Sequence, residues 1–183
     1  MKLHLGCGWR NFGDDWIHID GGDYEHLDHN DITKLPYEDE TVDLIYASHV
    51  LEYFDREEAI NVLTEWARVL KKGGVLRIAV PDFECMAIMY VMGKNTLNKT
   101  KLSSFLGPLY GKMQMSDKII YHKTAYDFQE LSELLSSVGI QNIARYDWRD
   151  TEHRDFDDHS QAYIPHMDKD NGTLISLNIE GTK

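Results

Sequence analysis

The chain has 183 residues, of which 42% are apolar and 27% charged, an ordinary composition for a globular protein with one packed core. Its formal net charge of −12 disfavours sequence-independent binding to nucleic acid. The sequence has no run of the roughly 20 apolar residues that a bilayer-spanning helix requires, and its start lacks a secretory-signal layout. We therefore expect a cytoplasmic protein with a single domain over residues 1–183 and no membrane partner. Two cysteines are too few for a disulfide framework or a cysteine-rich zinc site.

The first two predicted strands end in residues suited to a nucleoside. The strand at residues 3–5 runs directly into Gly6 and Gly8, and the strand at residues 16–19 ends in Asp20. A glycine turn lets the backbone approach a ligand closely, and an acid at the end of the neighbouring strand can accept hydrogen bonds from both ribose hydroxyls. This pairing indicates a cofactor that contains a nucleoside.

A third strand places a histidine where ligands bind. Residues 31–36 form a brief extended piece, and the apolar, β-branched residues 42–48 predict a buried strand. Ser48 and His49 stand at its carboxyl end, the edge at which open α/β sheets bind ligands. The ordinary pKa of histidine suits proton abstraction, so His49 is a catalytic candidate. The alternatives are that it stacks or hydrogen-bonds near the cofactor, or caps a loop.

A well-specified helix follows this strand. Asp55 and Glu58 can form a capping box, the next residues carry an apolar stripe, and Gly73 and Gly74 end the predicted helix. Residues 75–80 predict another strand.

The second half of the chain is less regular. Residues 83–92 predict a helix and residues 102–115 an irregular segment. A late helix is predicted to start at Thr124 or Asp127, which both offer a capping box, and to end at Gly139. Strands are predicted at residues 140–146 and 174–179, separated by a charged loop. Tyr121 and His122, just before the late helix, are candidate substrate contacts, and His122 is also a candidate base. Several lysines form either a solvated loop or a local basic groove: Lys94, Lys99, Lys101, Lys112 and Lys118.

Alternating strands and helices predict a Rossmann-like α/β fold. We expect seven strands in a mostly parallel sheet with helices on both faces. The two late strands, with no helix between them, predict a carboxyl-terminal antiparallel hairpin.

Four segments in order resemble the class I S-adenosylmethionine-dependent methyltransferases. They are the glycine motif at residues 5–8 with Asp20, the segment at residues 31–36, the strand motif at residues 42–53 and the helix-to-strand turn at residues 68–76. The Gly-Cys-Gly, Trp-Ile-x-x-Asp and Val-Pro-Asp elements further resemble a compact, largely uncharacterised bacterial or phage-type subgroup.

The resemblance implies S-adenosylmethionine as the cofactor and methyl transfer as the activity. The residues that it assigns to the cofactor are Gly6, Cys7, Gly8, Asp20, Asp31, Ile32, Ser48 and His49. Insertions near residues 93–123 and 147–170 would cover the acceptor, and the acidic charge favours a small molecule, saccharide or protein over nucleic acid. Many relatives have an acid at position 4, where this chain has His4. The 11 residues between Gly8 and Asp20 are also too few for a full crossover helix with its turns.

Two other functions remain open on these residues. A binding module that holds S-adenosylmethionine without transferring its methyl group fits the missing acid and the lack of a clear base. An NAD-dependent oxidoreductase is disfavoured because Asn11 stands where a Gly-x-Gly-x-x-Gly fingerprint needs its third glycine. The spacing of His153, His159 and His166 matches no helical pair of ligands, so we predict no metal site.

Overall fold

A computed structural model describes residues 1–93 and 101–183. The four α-helices described are α1 (Arg56–Val69), α2 (Phe83–Gly93), α3 (Ser103–Tyr110) and α4 (Phe128–Ser137). The strands are β1 (Lys2–Leu5), β2 (Ile17–Ile19), β3 (Val42–Ser48), β4 (Leu70–Pro81), β5 (Met113–Met115), β6 (Lys118–Ile120), β7 (Gln141–Arg145), β8 (Tyr163–Ile164), β9 (Thr173–Leu174) and β10 (Ser176–Thr182). No described helix is both long and apolar enough to cross a lipid bilayer.

The main sheet has the order β2-β1-β3-β4-β10-β7. Strands β1 to β4 pair in parallel, whereas β10 runs antiparallel to both β4 and β7. The predicted mostly parallel sheet and the antiparallel pair of late strands are therefore confirmed. Among the described residues the main sheet has six strands, so the prediction of seven is wrong.

The segment predicted as an extended piece, residues 31–36, adds no strand because its polar groups are committed elsewhere. Asp31 Oδ1 accepts hydrogen bonds from the backbone N–H and the hydroxyl of Thr33, at 2.8 and 2.6 Å. The N–H of Leu35 donates to Glu65 Oε1 at 2.8 Å, and Pro36 has no N–H to donate. Near this edge the backbone makes only a single bridge, between Ile19 and His29.

Helix α1 begins as its sequence predicts. Asp55 accepts hydrogen bonds from the N–H groups of Glu57 and Glu58, and the Glu58 side chain accepts from the Asp55 N–H. The helix ends at Val69, earlier than the predicted glycine stop, because β4 begins at Leu70.

Helices α1 and α4 cover one face of the sheet. Their apolar side chains pack on the alternate residues of β1, β3, β4 and β10 that point to that face. The opposite face is covered by residues 9–16 and 147–162, where the structure has only two short 3-10 turns. The prediction of helices on both faces is therefore wrong, and the short connection between β1 and β2 is the reason.

A buried cluster of aromatic and polar side chains lies under these loops. The His4 ring stacks on Phe12 with centroids 3.9 Å apart, and the His153 ring lies 3.9 Å from that of Tyr46. The hydroxyl of Tyr46 donates to Asp158 Oδ2 at 2.5 Å. Both ring nitrogens of His153 are buried without a hydrogen-bond partner. Burial lowers the pKa of His153 to about 4, and it lowers the pKa of His4 well below its usual value, helped by His18.

This cluster predicts a loss of stability in mild acid. His153 is only 1% exposed, and its pKa is lower in the folded chain than in the unfolded one, which therefore binds more protons. Stability should fall as pH drops below about 6.5, by roughly 3 kcal/mol from this residue by pH 4. Urea unfolding at pH 7 and pH 4.5 measures the effect. The variant His153→Phe should lose less stability over the same range, and an equal loss would contradict the assignment.

Helices α2 and α3 and the hairpin of β5 and β6 stand apart from the six-stranded sheet. The structure corrects the prediction of an irregular segment at residues 102–115, because residues 103–110 are helical despite Gly107 and Pro108. Helix α3 buries Phe105 against Met86 of α2. Lys94 and Lys99 of the lysine-rich stretch, and part of the predicted insertion at residues 93–123, lie outside the described residues.

Candidate functional site

A large cleft, about 1780 Å³ in volume, opens at the carboxyl ends of β1, β2 and β3. One half is formed by the turns that follow these strands. The other half is formed by residues 104–123 and 159–167, which belong to the two segments predicted as insertions. Of the predicted site residues, the cleft is lined by Gly6, Gly8, Asp20, Asp31, Ile32, Ser48, His49 and His122.

The glycine turn after β1 requires its glycines. Gly6 has φ +65° and Gly8 has φ +57°, in the left-handed region that favours glycine. A Cβ at Gly6 would lie 2.1 Å from Cγ2 of Val50, so a side chain there is excluded by both conformation and space. The Gly6 N–H donates to the Ile19 carbonyl at 2.7 Å, which joins the turn to the end of β2.

Asp20 is held in place by two backbone groups. Its Oδ2 accepts from the Gly8 N–H at 2.8 Å, and its Oδ1 accepts from the Gly22 N–H at 2.7 Å. Each carboxylate oxygen has a further lone pair, so both can still accept from a ligand hydroxyl. The sequence predicted Asp20 but not its anchor at Gly22.

Asp31 and Ile32 lie on the wall of the cleft beyond β2. Asp31 is exposed, and its hydrogen bonds from Thr33 lower the pKa of its carboxyl. Ile32 is half-buried against the main core, and its carbonyl accepts from Trp66 Nε1 at 2.8 Å. Their backbone is therefore fixed, while the Asp31 carboxylate is available to a ligand.

Cys7 and His4 point away from the cleft. The Cys7 side chain is buried, with Sγ 3.8 Å from His26 Nε2, and burial raises the pKa of its thiol to about 12. His4, which stands where relatives have an acid, stacks under Phe12 instead. Arg10 does line the cleft, and its Nε donates to the Asp157 carbonyl at 2.9 Å.

His49 is held rigidly at the end of β3. Its backbone has φ +55°, uncommon for a residue with a side chain, and its N–H donates to the Ala79 carbonyl at 2.8 Å. The ring Nε2 lies 3.1 Å from Ser176 Oγ, and Nδ1 lies 3.4 Å from Glu52 Oε1. Burial lowers the pKa of His49 well below its usual value, so the ring is neutral at pH 7.

The structure brings the second candidate base, His122, to the same carboxyl group. His122 Nε2 lies 3.6 Å from Glu52 Oε1, and Nδ1 lies 3.0 Å from the Pro108 carbonyl oxygen. The ring meets Tyr53 edge-on, with centroids 4.6 Å apart, and a Cβ at Gly111 would lie 1.8 Å from Nε2. Burial lowers the pKa of His122 as well.

Glu52 is the residue that the sequence analysis missed. Its side chain is 1% exposed, and neither carboxyl oxygen has a hydrogen-bond partner. Burial raises its pKa to about 8. The available signal was a single acid inside the otherwise apolar and aromatic residues 50–54.

A family model described as a methyltransferase domain matches residues 18–78 of the chain. An uncharacterised methyltransferase of Schizosaccharomyces pombe is 27% identical over 132 residues, which cover 68% of this chain and 51% of that protein. The chain thus spans about half the length of this curated relative.

Solved structures share the fold over almost the whole chain. An S-adenosylmethionine-dependent methyltransferase from Archaeoglobus fulgidus is 15% identical with a TM-score of 0.59, covering 100% of this chain and 85% of that one. The 1,6-didemethyltoxoflavin-N1-methyltransferase of Burkholderia thailandensis, solved with its substrate and S-adenosylhomocysteine, is 12% identical with a TM-score of 0.56. That match covers 100% of this chain and 70% of the other.

Residues 18–78 thus match a methyltransferase domain, and the chain shares its fold with S-adenosylmethionine-dependent methyltransferases of known structure. Both findings support the resemblance to class I methyltransferases seen in the sequence.

Proposed function

We propose that this protein transfers a methyl group from S-adenosylmethionine to a small acceptor bound in the same cleft. The observation that carries the proposal is the Asp20 carboxylate, fixed by the N–H groups of Gly8 and Gly22 at the carboxyl ends of β1 and β2. A carboxylate so placed can accept from both ribose hydroxyls while the glycine turn leaves room for the rest of the ligand.

The chain's own residues supply position and proton handling. When bound, the cofactor supplies an electrophilic methyl group on a sulfonium, and the protein supplies approach geometry. We assign the ribose to Asp20 and the adenine to Asp31 and Ile32. The backbone at residues 6–8 would hold the methionine part. His49 and His122 are the candidate bases.

The acceptor half of the cleft favours an apolar small molecule. Its wall includes polar residues such as Lys112, Gln114 and His166, and a set of aliphatic, thioether and proline side chains from α3, the β5–β6 hairpin and the loop near β8: Pro108, Met113, Met115, Ile119, Ile164 and Met167. Methionine side chains adapt to differently shaped apolar ligands. The 1,6-didemethyltoxoflavin bound in the Burkholderia structure supports the choice of a small molecule.

The structure gives two reasons to prefer methyl transfer over the rivals. A dinucleotide needs a helix N-terminus for its pyrophosphate, and residues 6–16 contain no helix. A pure binding module has no use for a second, apolar half of the cleft with two histidines on its wall.

We also propose membership of the compact bacterial or phage-type subgroup. The support is the sequence of three elements, at residues 6–8, 16–20 and 80–82.

Calorimetric titration of the chain with S-adenosylhomocysteine and, separately, with NADH tests the cofactor. We expect binding of the first and none of the second, and binding of NADH alone would overturn the proposal. Transfer of radiolabelled methyl from S-adenosylmethionine into small-molecule, saccharide and protein fractions of a cell extract then tests the acceptor. Label in the apolar small-molecule fraction is the expected result. If no fraction is labelled although the cofactor binds, the result would favour a binding module that does not transfer the methyl group.

A further inference from the structure

Three proton-binding side chains from two distant parts of the chain meet beside the cleft. His49 Nδ1 and His122 Nε2 approach the same oxygen, Glu52 Oε1, at 3.4 and 3.6 Å. Both rings line the cleft, whereas Glu52 is buried behind them with neither oxygen hydrogen-bonded. A buried carboxyl without partners is costly, so this arrangement calls for an explanation.

The hydrogen bonds on the far side of each ring fix where the ring protons sit. The Pro108 carbonyl can only accept, so His122 carries its hydrogen on Nδ1. Ser176 Oγ donates to Asn178 Oδ1 at 2.9 Å, because the Asn178 amide nitrogen donates to the Ser160 carbonyl. Ser176 Oγ must therefore accept from His49, which carries its hydrogen on Nε2. Both neutral rings thus present an unprotonated nitrogen to Glu52.

A count of protons shows that this cluster is one short. The pKa of Glu52, raised by burial to about 8, leaves the carboxyl protonated at pH 7. Its single O–H can donate to only one of the two ring nitrogens, so the other has no donor. One added proton satisfies every atom, since two imidazolium N–H groups can then donate to one carboxylate.

We propose that Glu52, His49 and His122 share protons as one unit and take up the proton that the methyl acceptor loses. This inference rests on the proposed function. In the transfer, the acceptor heteroatom bonds to the methyl carbon, and the carbon–sulfur bond breaks with its electron pair left on sulfur. The heteroatom keeps the electrons of its bond to hydrogen, and the proton is taken up by the unit of Glu52, His49 and His122. Glu52 acts through the rings and is a positioning residue.

The surroundings of the unit contribute few charges. His159 packs on His49 with ring centroids 5.3 Å apart, and Arg10 acts on both of these histidines at longer range. Tyr53 faces His122, and the buried hydroxyl of Tyr126, which has no partner, lies in the field of Glu52. The charges of Arg56 and Glu130 reach Tyr126 and pair with each other at 3.1 Å.

A divalent cation is the competing occupant, since two imidazoles and a carboxylate are also metal ligands. Across residues 1–93 and 101–183, however, no three such side chains are arranged to hold a metal ion. The proton is therefore the occupant that the geometry favours.

Histidine NMR on the full-length ¹⁵N-labelled chain tests the proposal without an acceptor. His49→Gln and His122→Gln assign the signals. At pH 7 we expect the hydrogen on Nε2 of His49 and on Nδ1 of His122, and on acidification a common midpoint for both rings. In Glu52→Gln the two midpoints should separate, while Glu57→Gln, an exposed control on α1, should match the wild type. Independent titration of the rings in the wild type would overturn the proposal, as would tight binding of ZnCl₂ that is abolished in Glu52→Gln.

A second measurement links the unit to catalysis. With radiolabelled methyl donor and cell extract, Glu52→Gln should lower the initial rate about 100-fold, within the range of general base catalysis, and flatten its pH profile. Its affinity for S-adenosylhomocysteine should stay within about twofold of the wild type. An unchanged rate and pH profile would refute the catalytic role. If Glu52→Gln fails to fold, the wild-type titration decides alone. If the wild-type protein does not bind S-adenosylhomocysteine, that result would instead contradict the proposed function.

Discussion

Replacing Asp20 by alanine should weaken S-adenosylhomocysteine binding by roughly 1–3 kcal/mol, or about 5- to 150-fold. The substitution removes the proposed acceptor of the ribose hydroxyls. It also leaves the N–H groups of Gly8 and Gly22 without their carboxylate partner, so the glycine turn loses an anchor that exists before any ligand binds. Isothermal titration calorimetry at fixed pH and salt measures the change.

Asp15→Ala is the matched control. Asp15 is an exposed acid five residues earlier that does not line the cleft, so its loss changes net charge equally without touching the site. Its affinity should equal that of the wild type. Equal affinities for all three proteins would remove Asp20 from the ribose site.

Gly6→Ala should be the most damaging single substitution in the glycine turn. The added methyl would lie 2.1 Å from Val50 Cγ2, and the residue would be held at φ +65°. Overpacking costs about 1–3 kcal/mol and the left-handed conformation about 1–2 kcal/mol, so we expect a total loss of roughly 2–5 kcal/mol of stability. At about 2–4 °C per kcal/mol, the midpoint temperature of thermal unfolding should fall by roughly 4–20 °C. Cofactor binding should be lost as well, because the turn shifts.

Gly13→Ala separates the two causes of this loss. Gly13 has φ +88°, but a Cβ there meets nothing within 4 Å, so only the conformational cost applies. The Gly6→Ala, Val50→Ala double variant should recover part of the loss, because it relieves the contact. A Gly6→Ala protein as stable as Gly13→Ala would contradict the proposed clash.

Local patterns in the sequence predicted most of the elements that form the half of the cleft at the carboxyl ends of β1, β2 and β3. Helix α1 was predictable because its capping box, formed by Asp55 and Glu58, is a local motif that spans only four residues. The buried strand β3 was predictable from its β-branched apolar run. Gly6, Gly8 and Asp20 were predictable because each stands at the end of a strand, and parallel strands present their carboxyl ends at one edge.

Features that depend on long-range packing were not predictable. Glu52 and His122 are 70 residues apart and meet only after α3 and the β5–β6 hairpin have folded over the cleft. Residues 31–36 do not form a seventh strand because side chains accept hydrogen bonds from their backbone N–H groups. One of these side chains is Glu65 of α1, which accepts from the Leu35 N–H. The sequence did not predict that loops cover the second face, because the rings that pack there, such as those of His153 and Tyr46, come from segments far apart in the chain.

A crystal structure of the chain grown with S-adenosylhomocysteine tests the central claim most directly. We predict the adenosyl group in the cleft, both ribose hydroxyls within hydrogen-bond distance of the Asp20 carboxylate, and the sulfur facing the apolar half. An adenosyl group bound elsewhere, or a ribose whose hydroxyls make no contact with Asp20, would contradict the account.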